Sequence, residues 1–286
     1  MMRFIRPLML ALAALGTVLA TPALAWGSLG HRTVAAIAWV NVSPHTRVQL
    51  AALLKQARVL NTPECAVRTL ADASTWADCV RKDGDRFRFA SRWHFQDEDI
   101  CRPYDPQEDC ANGNCVTAQI DRDRKLLGQP TRSTYDRVMA LMFLVHFVGD
   151  IHQPLHSADH ARDKGGNDLL VSGGRYDGYN MHELWDNEVA KEAINSAPGP
   201  MVRGYSDADK ARFGAGEPTD WGRESWDLAR RLVYPAALGG DPCRSGVPRY
   251  ASFDADAIAR AAPVARTRLV QAGLRLARVL DEALGA

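Results

Sequence analysis

Apolar residues recur at helical spacing over most of this chain. The stretch "TYDRVMALMFLVHFVGDIH", residues 134–152, predicts an almost wholly apolar helix that breaks near Pro154. "SPHTRVQLAALLKQARVL", residues 43–60, predicts a helix with Ser43 as N-cap and Pro44 at its first position. Amphipathic patterns over 178–194 and 220–238 predict two more helices. The arginine-rich segment 264–284 predicts a surface helix with a solvated basic face. "NDLLVSGGRYDG", residues 167–178, predicts a β-hairpin turning at Gly173-Gly174. No repeat or linker interrupts the pattern. The expected architecture is therefore all-α: one mainly helical domain with a small β-hairpin. Long polar loops are expected over 81–100 and 103–115, and such loops need either staples or a function.

The first 25 residues change the picture. Arg3 and Arg6 precede an apolar run, Leu8 to Ala20, which ends at Ala23-Leu24-Ala25. This is the form of a secretory signal peptide, and the run is too short for a transmembrane helix. The expected mature chain is 26–286, exported to the periplasm or the medium, with no membrane partner. It keeps all six cysteines, an even number that reads as disulfides in an exported protein. Cys110 and Cys115 bracket the turn-like "ANGN" and are expected to pair locally. Without the leader, 33 basic residues face 34 acidic ones, so no general basic field attracts nucleic acid. Any attraction for phosphate must be local.

Histidine and aspartate supply a local source. His146 and Asp150 are four apart on one predicted helix, and His182 and Asp186 repeat the spacing on another. Each pair presents both side chains on one helix face, as two ligands to one metal require. Asp150 ends an apolar run where an unpaired carboxylate is costly to bury. His152, His156 and His160 follow at four-residue intervals. Pro154 breaks the register between them, so spacing alone does not choose one. Asp78 in "TWADCVR" and His94 in "SRWHFQD" complete the candidates.

Together these residues resemble the zinc-dependent single-strand nuclease and 3′-nucleotidase family of fungi, plants and bacteria. The likeness rests on "WGSLGH" from Trp26, "WAD" at 76–78, "WHF" at 93–95, "HFVGDIHQPLH" at 146–156, "GGND" at 165–168 and "NMHELWD" at 180–186. It implies three Zn2+ ions. One resembles a site held by Asp78, His94, His146 and Asp150. The second would take the α-amino nitrogen and carbonyl oxygen of Trp26, His31, and Asp150 as a bridge. The third would take His156, His182 and Asp186, which favours His156 over His152 and His160. A free terminal amine is a far better ligand than a peptide nitrogen, so removal of Ala25 would complete the centre. Cys65 with Cys79 and Cys101 with Cys243 complete the expected disulfides.

The resemblance implies an endonuclease acting on single-stranded DNA and RNA to give 5′-phosphates, with activity on 3′-mononucleotides. A hydroxide held between paired zincs would attack phosphorus in line, with Asp78 orienting it and Arg81 steadying the phosphate. Phe95 is expected to stack on an unpaired base, Asp97 to accept from its edge, and Asn167 to bond phosphate or substrate. A monomer is expected. Two rival classes remain on sequence: a zinc phospholipase C, and an exported zinc-binding protein without catalysis.

Overall fold

The computed structural model describes residues 26–82, 84–244 and 250–285. The expected leader, 1–25, lies outside these residues. The helices are α1 (Ser28–Asn41), α2 (Pro44–Lys55), α3 (Leu70–Ala73), α4 (Trp76–Val80), α5 (Val116–Leu127) and α6 (Thr134–Asp150). They continue with α7 (Met181–Leu184), α8 (Ala190–Asn195), α9 (Asp207–Gly214), α10 (Pro218–Leu228), α11 (Tyr234–Leu238) and α12 (Ala255–Leu284). Side-chain caps start several of them. Ser43 Oγ accepts from Thr46 N, and Ser133 Oγ accepts from Asp136 N. The helical stretch after α7 widens into a π turn over Trp185–Val189, and α10 does the same over Ala229–Val233.

Two long helices organise the core. In α6 every residue from Ala140 to Asp150 is buried, so its apolar run has no solvent face. α12 packs against α1, α5, α6, α8 and α9. It approaches α1 closely at Gly273, where an added Cβ would lie 2.5 Å from Ile37 Cβ.

The expected solvated basic face of 264–284 is corrected here. Arg268 and Arg275 are each 2% exposed. Both reach Glu224 on α10, Arg275 with two nitrogens at 2.6 and 2.8 Å and Arg268 at 2.5 Å. Arg268 also donates to the Trp221 carbonyl, to Ser225 Oγ and to the His152 carbonyl. Burial draws Arg268 down to about 10, against the pull of Glu224. The charge pattern was that of a polar face, but its partner lies on another helix and turns the face inward.

The expected reversal at Gly173-Gly174 forms, with Leu170 bridging Asn180 in antiparallel fashion. The two-stranded sheet, however, joins β1 (Leu170–Val171) in parallel to β2 (Tyr250–Ala251), far along the chain. Three disulfides tie the loops: Cys65–Cys79, Cys101–Cys243 and Cys110–Cys115. The first holds the residue next to Asp78, and the second closes 142 residues of chain. Among the described residues no helix is long and apolar enough to cross a membrane.

Two stability outcomes follow from α12. Gly273→Ala drives a methyl into Ile37 and is expected to cost about 1–3 kcal/mol. Glu224→Ala leaves two buried guanidinium groups facing each other and is expected to cost about 3 kcal/mol or more. Denaturant midpoints at unchanged slope measure both.

Candidate metal centre

α6 delivers His146 and Asp150 from its last two turns. His146 Nδ1 donates to the Ser74 carbonyl at 2.7 Å, which turns Nε2 inward. α4 brings Asp78, and the following loop brings His94. The facing atoms are His94 Nδ1, His146 Nε2, Asp150 Oδ2 and Asp78 Oδ1. Their separations are 3.0 Å between the histidines and 3.1 and 3.2 Å from these to Asp150. Asp78 lies 3.6 Å from His146 and 3.8 Å from His94. A tetrahedral zinc with bonds near 2.1 Å sets its ligand atoms about 3.4 Å apart. Asp150 Oδ1 meets His31 Nε2 from α1 at 3.2 Å. Neither of these last two atoms makes a hydrogen bond, so they are close without sharing a proton.

His31 reaches this position through a glycine. An added Cβ at Gly149 would lie 2.6 Å from His31 Nδ1. The His31 ring also stacks on His146, with centroids 4.1 Å apart. Trp26 is fully buried ahead of it. The next residue, Gly27, donates its N–H to the Asp186 carbonyl at 2.8 Å, so the start of the described chain lies against the third group of donors.

That group is His156, His182 and Asp186. His156 Nδ1 donates to the His94 carbonyl and His182 Nδ1 to the Gly165 carbonyl. Both Nε2 atoms are thereby left with lone pairs, and they face each other at 3.0 Å. Asp186 Oδ2 is 3.4 Å from His182 and has no hydrogen bond of its own. Gln153, absent from the sequence reading, donates to Asp186 Oδ1 at 2.8 Å, while its own oxygen accepts from Leu155 N. Its signal was present in "HQPLH" but carried no metal-ligand chemistry.

His152 and His160 lie elsewhere. His152 donates to the Val148 carbonyl and accepts from Arg275. His160 Nε2 lies 3.0 Å from the Pro242 carbonyl. The Pro154 break turns His156 alone toward the donors.

Burial pushes His156 down to about 3 and His182 to about 4, so both stand neutral. Burial also opposes charge on His146, but Asp150 and Asp78 raise it to about 9. Burial holds Asp186 well above the usual carboxylate range. Buried atoms without hydrogen bonds include His31 Nε2, Asp78 Oδ1, Asp150 Oδ1 and Asp186 Oδ2. Imidazoles and carboxylates at this spacing, with orphaned atoms converging, fit zinc.

The remaining expected residues surround the donors. Arg81 Nη1 is 3.6 Å from Asp78, and its charge acts on His182. Phe95 is half-buried with the Arg92 guanidinium 5.2 Å over its ring. The Asp97 N–H donates to Asp109 Oδ2, and burial beside Asp159 and Asp109 pushes the Asp97 carboxyl to about 8. The Asn167 amide donates one N–H to the Lys164 carbonyl within a tight loop and keeps a second.

The S1/P1 Nuclease family model matches residues 26–285. The chain belongs to the S1/P1 nuclease family. Nuclease S1 of Aspergillus oryzae is 28% identical, across 96% of this chain and 97% of its own. Endonuclease 3 of Arabidopsis thaliana is 31% identical, across 94% and 92%. Nuclease P1 of Penicillium citrinum is 32% identical, across 59% and 60%. This family member is a nuclease, a phosphodiester hydrolase, which sets aside the lipase and the non-catalytic readings.

Two outcomes test the donor set. Zinc added to metal-free protein at pH 7.5 displaces the proton that His146 keeps below about pH 9, so protons are released, at least about one per chain. A pH indicator in weak buffer counts them. Gly149→Ala displaces His31 and is expected to lower zinc retained after dialysis against a weak chelator. Elemental analysis equal to the parent contradicts the packing argument.

Proposed function

We propose that this chain is an exported, monomeric, zinc-dependent endonuclease that prefers single-stranded DNA and RNA. It leaves 5′-phosphates and also removes phosphate from 3′-mononucleotides. The observation that carries this reading is the pair of lone-pair-bearing nitrogens on His156 and His182, 3.0 Å apart beside the Asp150 cluster. Neither can donate to the other, and a cation between them removes the conflict.

Asp78, His94, His146 and Asp150 would hold one zinc. Trp26, through its freed amine and carbonyl, would hold a second with His31 and Asp150. His156, His182 and Asp186 would hold a third. Bound zinc supplies Lewis acidity toward phosphate oxygens and acidifies water to near neutrality. The chain's own residues do the rest. The Asp78 carboxylate accepts a proton from the attacking water. Arg81, beside it, balances charge that grows on the phosphate oxygens. Phe95 stacks on a base, worth about 1–3 kcal/mol, and the Asp97 carboxyl bonds the base edge. Asn167, with one amide hydrogen on the Lys164 carbonyl, donates the other to phosphate or substrate. Bases within a duplex cannot reach Phe95 and Asp97 without unstacking. Three disulfides suit the oxidising compartment that export by residues 1–25 would reach.

The test compares protein that begins at Trp26 with protein carrying one extra residue ahead of it. The processed form is expected to hold three zincs by elemental analysis and to cut single strands in preference to duplexes. The extended form is expected to lose zinc and to fall at least about tenfold in activity. Fewer than two zincs in the processed form, or equal activity in both, overturns the proposal.

A further inference from the structure

The cleft between α5 and α6 holds a feature that the metal centre does not use. It is a cavity of about 230 Å³ lined by Arg122, Asp123, Arg132, Asp136, Met139 and Phe143, among others. Asp123 is 1% exposed. Its Oδ1 lies 3.3 Å from Arg122, and its Oδ2 has no partner. A buried carboxyl oxygen with nothing to bond is costly to keep, and here it belongs to a residue that lines open space.

An aromatic rim adjoins the cavity at Arg122 and Phe143, and buried rings behind it reach His94. Phe89 is 51% exposed, and its ring meets Trp93 edge-on at 5.0 Å. The Arg122 guanidinium lies 4.9 Å over the Trp93 ring. Trp93 meets Phe143 at 5.5 Å, and Phe143 stacks on Phe147 at 5.2 Å. Phe147 in turn contacts the ring of His94. Arg122 and Phe143 thus belong to both the rim and the cavity. Met139 is seven residues before His146 on α6, about 10 Å along the axis.

We propose that this cleft is a second nucleobase subsite, distinct from Phe95 and Asp97. Asp123 takes an N–H from the Watson–Crick edge of an unpaired base, and Phe89 and Trp93 stack on the neighbouring base of the strand. Those edge donors are free only outside a duplex, so the subsite extends single-strand selection beyond the scissile nucleotide. Burial pushes Asp123 to about 8, which lets it also donate to a ring nitrogen at neutral pH. The subsite rests on the nuclease reading above, and binding tests it apart from cleavage.

The experiment measures fluorescence anisotropy of zinc-loaded protein with phosphorothioate-linked strands of ten and of two nucleotides. For Asp123→Asn and Phe89→Ala, the Kd for the ten-nucleotide strand is expected to rise about tenfold relative to that for the dinucleotide. Asp123→Asn is further expected to change which homopolymer binds best. Equal binding by parent and variants overturns the subsite, and so does equal weakening toward both lengths. A parent that binds the long strand with this dependence but cuts no unmodified strand leaves the subsite standing and sinks the nuclease reading.

Discussion

Like atoms held close together in the core are the constraint on which this structure turns. His156 and His182 set two bare ring nitrogens 3.0 Å apart, and Asp150 gathers His31, His94 and His146 around its two oxygens. The facing nitrogens of His156 and His182 are unfavourable in the absence of a cation, because burial removes the water that would screen them, while at Asp150 a proton on His146 stands in for one. Fold and metal are therefore coupled. The folded chain presents donors that repel one another, and a bound ion converts that repulsion into binding energy.

Such donors must be held by groups that cannot relax. Backbone carbonyls do this for the rings: Ser74 for His146, His94 for His156 and Gly165 for His182. Each accepts at Nδ1 and fixes the tautomer, which leaves Nε2 for the ion. The turn between Asp150 and His156 is held from behind. Ser225 donates to the Ile151 carbonyl, Arg268 to the His152 carbonyl and Arg275 to the His152 ring. Glu224 balances both arginines. The buried charges of α12 thus connect its stability to the position of the metal-facing turn.

Much of this was legible because helical spacing acts locally. The Ser43 cap, the α6 run and the two histidine–aspartate pairs at four-residue spacing each depend on residues within a turn or two. The choice among His152, His156 and His160 was not legible from spacing, because Pro154 removes the register that would relate them. The inward face of 264–284 was illegible for another reason. A row of arginines looks the same whether it meets water or Glu224, and Glu224 lies more than forty residues away. Gly149 and Gln153 carry no ligand chemistry, so only their contacts with His31 and Asp186 reveal them.

The same logic bears on the chain's beginning. Gly27 is bonded to the backbone of Asp186, while His31, one turn later, touches Asp150. The segment 26–31 therefore spans two groups of donors within about one and a half helical turns. A free amine at Trp26 would join that span at little cost in ordering, since Trp26 is already buried and Gly27 already bonded. An extra residue would replace an amine lone pair with an amide that has none to give. Proteolytic maturation in this reading changes the chemistry of one nitrogen without asking the fold to move.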